Sequence, residues 1–169
     1  MTFCTTNFEL ESRPVTNTLE ATIEIAATPQ DVWTIVSDLK RMGEWSPQCR
    51  KMRVSGEVRE GTKTFNLNRK GFLVWPTTSK VIRFEPNKAI AFRINENRSI
   101  WSYTLEATET GTRVIERREA PTGTSQLSQF LIKTVLGGAD AFEAEMIAGM
   151  NSTLARIKSE AEALAVGSR

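Results

Sequence analysis

Between Cys49 and Glu119 the chain repeatedly alternates apolar and polar residues in short runs broken by turn formers, and this pattern most constrains its fold. Residues 49–59, 62–70, 73–85, 89–96, 99–107 and 112–119 read as strands, because a period of two matches side chains that point alternately to opposite faces. Glu60-Gly61, Gly71, Pro86-Asn87, Glu96-Asn97 and Glu109-Thr110-Gly111 punctuate them. Gaps this short favour hairpins, which predicts an antiparallel meander. Pro76 has no N–H to give a ladder, so its strand is expected to lie at a sheet edge or to bulge there.

Two further patterns flank the meander. In "TLEATIEIAAT", Leu19, Ala21, Ile23 and Ile25 alternate with Glu20, Thr22 and Glu24, the mark of a half-buried strand. "TPQDVWTIVSDL" follows, with Thr28 suited to an N-cap, Pro29 to the first helical position and Asp31 to the positive end of the helix dipole. The spacing of Val32, Trp33, Ile35, Val36 and Leu39 predicts a helix of about three turns. Gly43 is expected to end or bend it, with a second short turn reaching Trp45 and Ser46-Pro47 forcing extended chain. Beyond Pro121 the period becomes helical. Residues 124–164 read as one long helix interrupted at Gly137-Gly138, with an apolar stripe of Ile147, Met150, Leu154, Ile157, Ala161 and Leu164. Residues 1–17 are expected to form a flexible arm, 18–164 a single domain and 165–169 a frayed tail.

Strand, two short helices, six strands and a long helix define an α+β protein. Seven antiparallel strands need a cover on one face, and only the last helix is long enough. A curved sheet gripping that helix leaves a space at its flank, either filled by side chains or open to a ligand.

Composition narrows the chemistry. The 169 residues contain no histidine, which removes Ser-His-Asp and Cys-His catalysis and every histidine-based metal site. Two cysteines, Cys4 and Cys49, are too few for a thiolate zinc site and are expected to be reduced. No metal and no cofactor are therefore expected. The net charge of +2 gives no electrostatic case for nucleic acid, and "LNRKGF" and "IERREA" read as solvated strand faces. No apolar run is long enough to span a membrane. The first residues lack a basic segment followed by an apolar one, so no secretory signal is expected and the cytoplasm is the expected compartment.

The segments "DVWTIVSDLKRMGEWSPQC", "NRKGFLVWPTTSKV", "FEPNKAIAFRI", "WSYTLEATETGTRVIERREA" and "GMNSTLARIKSEAE" resemble the Bet v 1-like, START-related (SRPBCC) superfamily, in its bacterial polyketide cyclase/dehydrase-like branch. The resemblance covers residues 18 to 164. It implies a helix-grip fold, in which two short helices form a V closing one end of the sheet. That fold hosts carriers, sensors and cyclases, so it does not fix function.

Several side chains are candidates for the site. Trp45 and Trp33 are expected to pack structurally. Trp101, Tyr103 and Leu105 are assigned to the concave face, and Trp75 stands beside Pro76. In "TFNLNRK" alternation leaves two registers open, Phe65 inward or the asparagines inward; comparison with the branch favours Asn68 inside. In "TRVIERRE" either Val114, Glu116 and Arg118 face the core, or Ile115 does and the charged pair is solvated. Candidate ligand contacts are Asn68, Trp75, Trp101, Tyr103, Glu116 and Arg118, with Phe130 and Met150 from the long helix. Glu116, Arg118 and Tyr103 are also the catalytic candidates.

Three functions follow. The first is binding of a small hydrophobic molecule, a lipid or polyketide-like compound, between sheet and helix. The second is cyclase or dehydratase catalysis, with Glu116 as base and Arg118 or Tyr103 stabilising an enolate. The third is a protein-interaction module, which the near-neutral charge and lack of a marked exposed apolar stretch do not favour. A homodimer through a sheet edge is left open.

Overall fold

The computed structural model describes residues 18–121 and 139–167. Strand β1 (Thr18–Ile25) is followed by α1 (Pro29–Val36), a 3-10 turn (Leu39–Arg41) and α2 (Met42–Trp45). Then come β2 (Cys49–Val54), β3 (Lys63–Lys70), β4 (Leu73–Glu85), β5 (Ala89–Ile94), β6 (Ile100–Thr108), β7 (Gly111–Glu119) and α3 (Ala139–Gly167). The strands form one curved antiparallel sheet in the order β1-β7-β6-β5-β4-β3-β2, the helix-grip architecture expected. β1 joins at the far side by pairing with β7, from Thr18 opposite Glu119 to Ile25 opposite Thr112.

The capping residues act as their types require. The Asp31 N–H donates to Thr28 Oγ1 at 3.2 Å and the Thr28 N–H to Asp31 Oδ2 at 3.3 Å. This reciprocal pair meets two donors that the first turn leaves without a helical partner. The helix is shorter than expected, however. It stops at Val36, and Ser37 Oγ donates back to the Trp33 carbonyl at 2.7 Å. Leu39, counted on the same helical face, lies in the 3-10 turn and is buried there. Gly43 does not end α1 but sits inside α2, where an added Cβ would lie 2.5 Å from the Arg50 carbonyl oxygen. Its missing side chain is what lets α2 lie against the start of β2.

β2 ends five residues before the expected boundary, because Glu57, Arg59 and Thr62 close a loop instead: Thr62 Oγ1 accepts from the Arg59 N–H and donates to the Glu57 carbonyl. Pro76 pairs with Leu67 on β3, while β5 reaches β4 only from Ser79 onward. The proline thus occupies a stretch with one neighbour, as its missing N–H demands, and the ladder irregularity lies further on, between Val81 and Arg83.

Helix α3 packs on β1, α1 and α2, with a lighter contact on β7. Met150, Leu154, Ile157 and Ala161 are buried along one stripe, whereas Leu164 is exposed. The helix continues to Gly167, past the expected end at 164. The expected segment 124–138, with Phe130 and the Gly137-Gly138 break, lies outside the described residues, as do the 1–17 arm and Cys4. The core joins Leu19, Ile25, Val32, Ile35, Val36, Trp45, Ile90, Tyr103, Val114 and the α3 stripe.

Candidate functional site

β7 places its charged residues inward. Val114, Glu116 and Arg118 share the inner face, and Ile115 the outer one. Glu116 is 3% exposed and Arg118 5%. "IERREA" is therefore not a wholly solvated face: Arg117 points outward to an ion pair with Glu20, while Arg118 is buried. Cross-strand register organises the inner face in rows. Ile90, Tyr103, Glu116 and Ala21 lie side by side on β5, β6, β7 and β1, and Phe92, Trp101, Arg118 and Leu19 form the next row.

In the first row the Tyr103 hydroxyl donates to Glu116 Oε1 at 2.9 Å. Met42 Sδ of α2 lies 3.9 Å from the same hydroxyl. Glu116 Oε2 is buried and has no hydrogen-bond partner among the described residues. Burial pushes the Glu116 carboxyl up to about 8, and the Tyr103 hydrogen bond opposes this only partly. At neutral pH Glu116 thus holds its proton. Burial, then the neighbouring Glu116, raise Tyr103 well above the usual phenol range.

The second row holds a buried cation. Arg118 Nη1 has no hydrogen-bond partner among the described residues, and the guanidinium lies 5.7 Å from the centre of the Phe142 ring of α3. Burial lowers its pKa, yet a guanidinium stays charged in proteins. Glu116 and Arg118 form no ion pair. Phe142 and Met42 escaped the sequence reading, since neither stands in a chemically distinctive pattern.

A second polar group occupies the inner face at β3 and β4, and it settles the register of "TFNLNRK". Asn66 and Asn68 point inward and Phe65 outward, because strand alternation there puts the polar set inside. Thr64 Oγ1 donates to Asn66 Oδ1 at 2.8 Å and shares a short hydrogen bond with Ser79 Oγ. Asn68 Nδ2 donates to Thr77 Oγ1 at 3.0 Å and lies 3.5 Å from the carbonyl of Trp75, its register partner. Neither the Tyr103–Glu116 pair nor Arg118 bonds to this group. Met150 is buried in the α3 stripe.

Trp45 is buried in the core, where it packs structurally as expected. Its indole N–H donates to Glu160 Oε2 at 3.1 Å, and Arg41 Nη1 donates to Glu160 Oε1 at 2.6 Å. Arg41 holds the Glu160 carboxyl below its ordinary range. Trp33 packs edge-on against Phe84 with ring centres 5.2 Å apart. Two clefts of ≈ 290 and ≈ 310 Å³ are lined by Pro47, Arg50, Arg69 and Gly71, and by Glu60, Gly61, Lys80, Val81 and Ile82. Neither includes Tyr103, Glu116 or Arg118. Among the described residues no group of three metal-ligating side chains converges, and no helix is long and apolar enough to cross a membrane.

Comparison with known proteins agrees with this architecture. The polyketide-cyclase-like protein Cgl2372 from Corynebacterium glutamicum is 29% identical, with a TM-score of 0.61 over 86% of this chain and 91% of that one. The di-domain ARO/CYC protein StfQ of the steffimycin biosynthetic pathway has a TM-score of 0.71 at 14% identity. That match covers 88% of this chain but 51% of StfQ, so the chain spans about half of it and the likeness is one of fold. The Aha1 dimer from Colwellia psychrerythraea matches at 18% identity and a TM-score of 0.58, over 86% of this chain and 96% of that one. No match is found among curated proteins. A family profile described as polyketide cyclase / dehydrase and lipid transport matches residues 16–162, and the chain belongs to that family.

Proposed function

We propose that the protein binds a small, largely apolar molecule against the inner face of the sheet and anchors its polar end at Glu116 and Arg118. One observation carries this: among the described residues Glu116 Oε2 and Arg118 Nη1, two positions apart on the inner face of β7, are buried with no hydrogen-bond partner. Burying a polar group without a hydrogen bond is costly, and most buried polar groups are paired. A ligand that supplies the missing bonds removes that cost. With Glu116 protonated, both groups donate. The matching ligand atoms are acceptors: the oxygens of a carboxylate or of a conjugated carbonyl. Phe92, Trp101 and Leu105, on the same face, offer the apolar wall such a molecule needs. A lipid acid and a polyketide-like compound both fit this description.

Native mass spectrometry of the full chain purified from its own host tests the reading. We expect a non-covalent adduct, lost on solvent extraction and reduced at least about tenfold by Arg118→Met, the loss of one charged hydrogen bond. A ligand-free protein that takes up neither a long-chain carboxylic acid nor a hydroxylated aromatic polyketide in calorimetry overturns it.

A second reading has support in the Tyr103–Glu116 pair. A carboxyl whose pKa lies near 8 is suited to proton transfer close to neutrality. Held protonated, Glu116 is suited to act as an acid that protonates a leaving oxygen in a dehydratase step, rather than as the expected base. Turnover of a polyketide-like substrate abolished by Glu116→Gln, with binding retained, supports this reading; turnover unaffected by that change removes it.

A further inference from the structure

The outer face of the β3–β4 hairpin departs from what an antiparallel sheet turns toward water. Phe65, Leu67, Val74 and Pro76 all point outward there and are exposed. Beyond them the chain reverses in two residues. Gly71 takes a φ of 56°, the conformation a two-residue hairpin requires at its first position, and this thrusts Phe72 into solvent. Phe72 is fully exposed, and Leu73 and Val74 are more than half exposed. The expectation that the chain lacks a marked exposed apolar stretch is therefore corrected. Contiguous apolar surface of this kind marks an interaction site.

Basic side chains flank the stripe on its β2 side and at its tip, while Glu96 binds Thr78 on the β4 side. Lys51 on β2 lies opposite Leu67, Arg53 opposite Phe65 and Arg69 opposite Val74. Residues 49–80 carry eight lysines and arginines against two glutamates, a net +6 in a chain whose total is +2. Both glutamates, Glu57 and Glu60, lie in the loop at the other end of β3 from Phe72. Of the eight basic residues, only Lys70 forms an ion pair among the described residues, with Glu145. The even charge balance of the whole chain conceals this basic segment.

We propose that the β3–β4 hairpin docks the protein on an anionic lipid bilayer, with Phe72 and Leu73 entering the acyl boundary and Lys51, Arg53 and Arg69 facing the headgroups. Charge decides among occupants. A second copy seated on this face would bring one net-positive surface against another. A nucleic acid would meet the cations but leave Leu67, Leu73 and Val74 without apolar partners. An anionic bilayer alone offers negative charge above and hydrocarbon beneath, the order in which basic rim and apolar tip are arranged. The inference does not depend on any ligand bound inside the sheet.

The test is co-sedimentation of the full chain with vesicles of phosphatidylcholine, alone or with about one third phosphatidylglycerol. We expect partitioning onto the anionic vesicles that is at least about tenfold stronger than onto the neutral ones and falls with added salt. Phe72→Asp with Leu73→Asp, and separately Arg53→Glu with Arg69→Glu, should each reduce it about tenfold or more. These positions are exposed, and circular dichroism checks the fold of each variant; Phe72→Ser is the milder substitute if the aspartates disturb the turn. Three results overturn the proposal. One is equal sedimentation with both vesicle types or with neither. Another is loss on charge reversal with no response to the Phe72 changes, which marks a polyanion contact. The third is a dimer in analytical ultracentrifugation that Phe72→Asp dissociates, which assigns the face to a second copy.

Discussion

Two clusters of buried polar side chains lie on the inner face of one sheet and obey opposite rules. At β3–β4, Thr64, Asn66 and Ser79 satisfy one another through a closed set of hydrogen bonds. At β6–β7, Tyr103 satisfies one oxygen of Glu116, while the other oxygen and one Arg118 nitrogen find no partner among the described residues. A closed set stiffens the sheet and gains nothing from a visitor. An open set lowers the stability of the empty protein and, on the proposed reading, gains from a ligand that completes it. The contrast separates the two clusters more sharply than burial does, since both are buried.

The largest effect that can break this comparison is a pH profile. Glu116 has a folded pKa raised to about 8 from an ordinary 4.5, so the stability it permits is fully present below about 4.5 and lost as the pH rises through 8. With no histidine in the chain, few other groups titrate in that window. Denaturant unfolding of the ligand-free protein should lose on the order of 3 kcal/mol between pH 5 and pH 8. Glu116→Gln should flatten the profile; a parent profile already flat means that Glu116 is not desolvated.

Next is the closed set. Asn66→Ala strips Thr64 and Ser79 of a shared partner and should cost about 2–3 kcal/mol, with ligand affinity unchanged. Arg118→Met should act the other way, stabilising the empty protein by about 1–2 kcal/mol because a buried, unpaired charge is removed. If both variants lose stability in the same urea titration, the distinction between the clusters fails. The smallest effect lies outside both. Trp45→Phe keeps the packing but deletes the N–H bond to Glu160, for about 1 kcal/mol by thermal unfolding, with no change at Glu116.

The sequence carried the order of elements because alternation and turn residues are local signals. Leu73–Glu85 matches its expected bounds, and the other strands differ mainly where a loop hydrogen bond competes, as at Thr62. α1 is shorter than its spacing predicts because Leu39 falls at helical spacing while the Ser37 hydroxyl already bonds back to the Trp33 carbonyl. Alternation could not choose the face of Glu116 or Asn66, because each face of β7 carries one aliphatic residue among charged ones, and in β3 the asparagines stand opposite Phe65 and Leu67, so either set makes a regular pattern. Pairing with neighbours decides it. Nor could local pattern reveal Phe142 over Arg118 or the cationic surround of Phe72, which unite residues distant in the chain or hidden in an even overall balance.

The bond between Trp45 and Glu160 spans 115 residues. Hairpins β2 to β7 can zip sequentially as they leave the ribosome, but β1 must wait for β7, and the indole for nearly the last turns of α3. Closure late in synthesis implies a slow, long-range final step in folding. A chain halted before residue 160 should therefore stay protease-sensitive at α2 while its meander is already protected, and equal protection of both regions in pulse proteolysis would contradict that sequence of events.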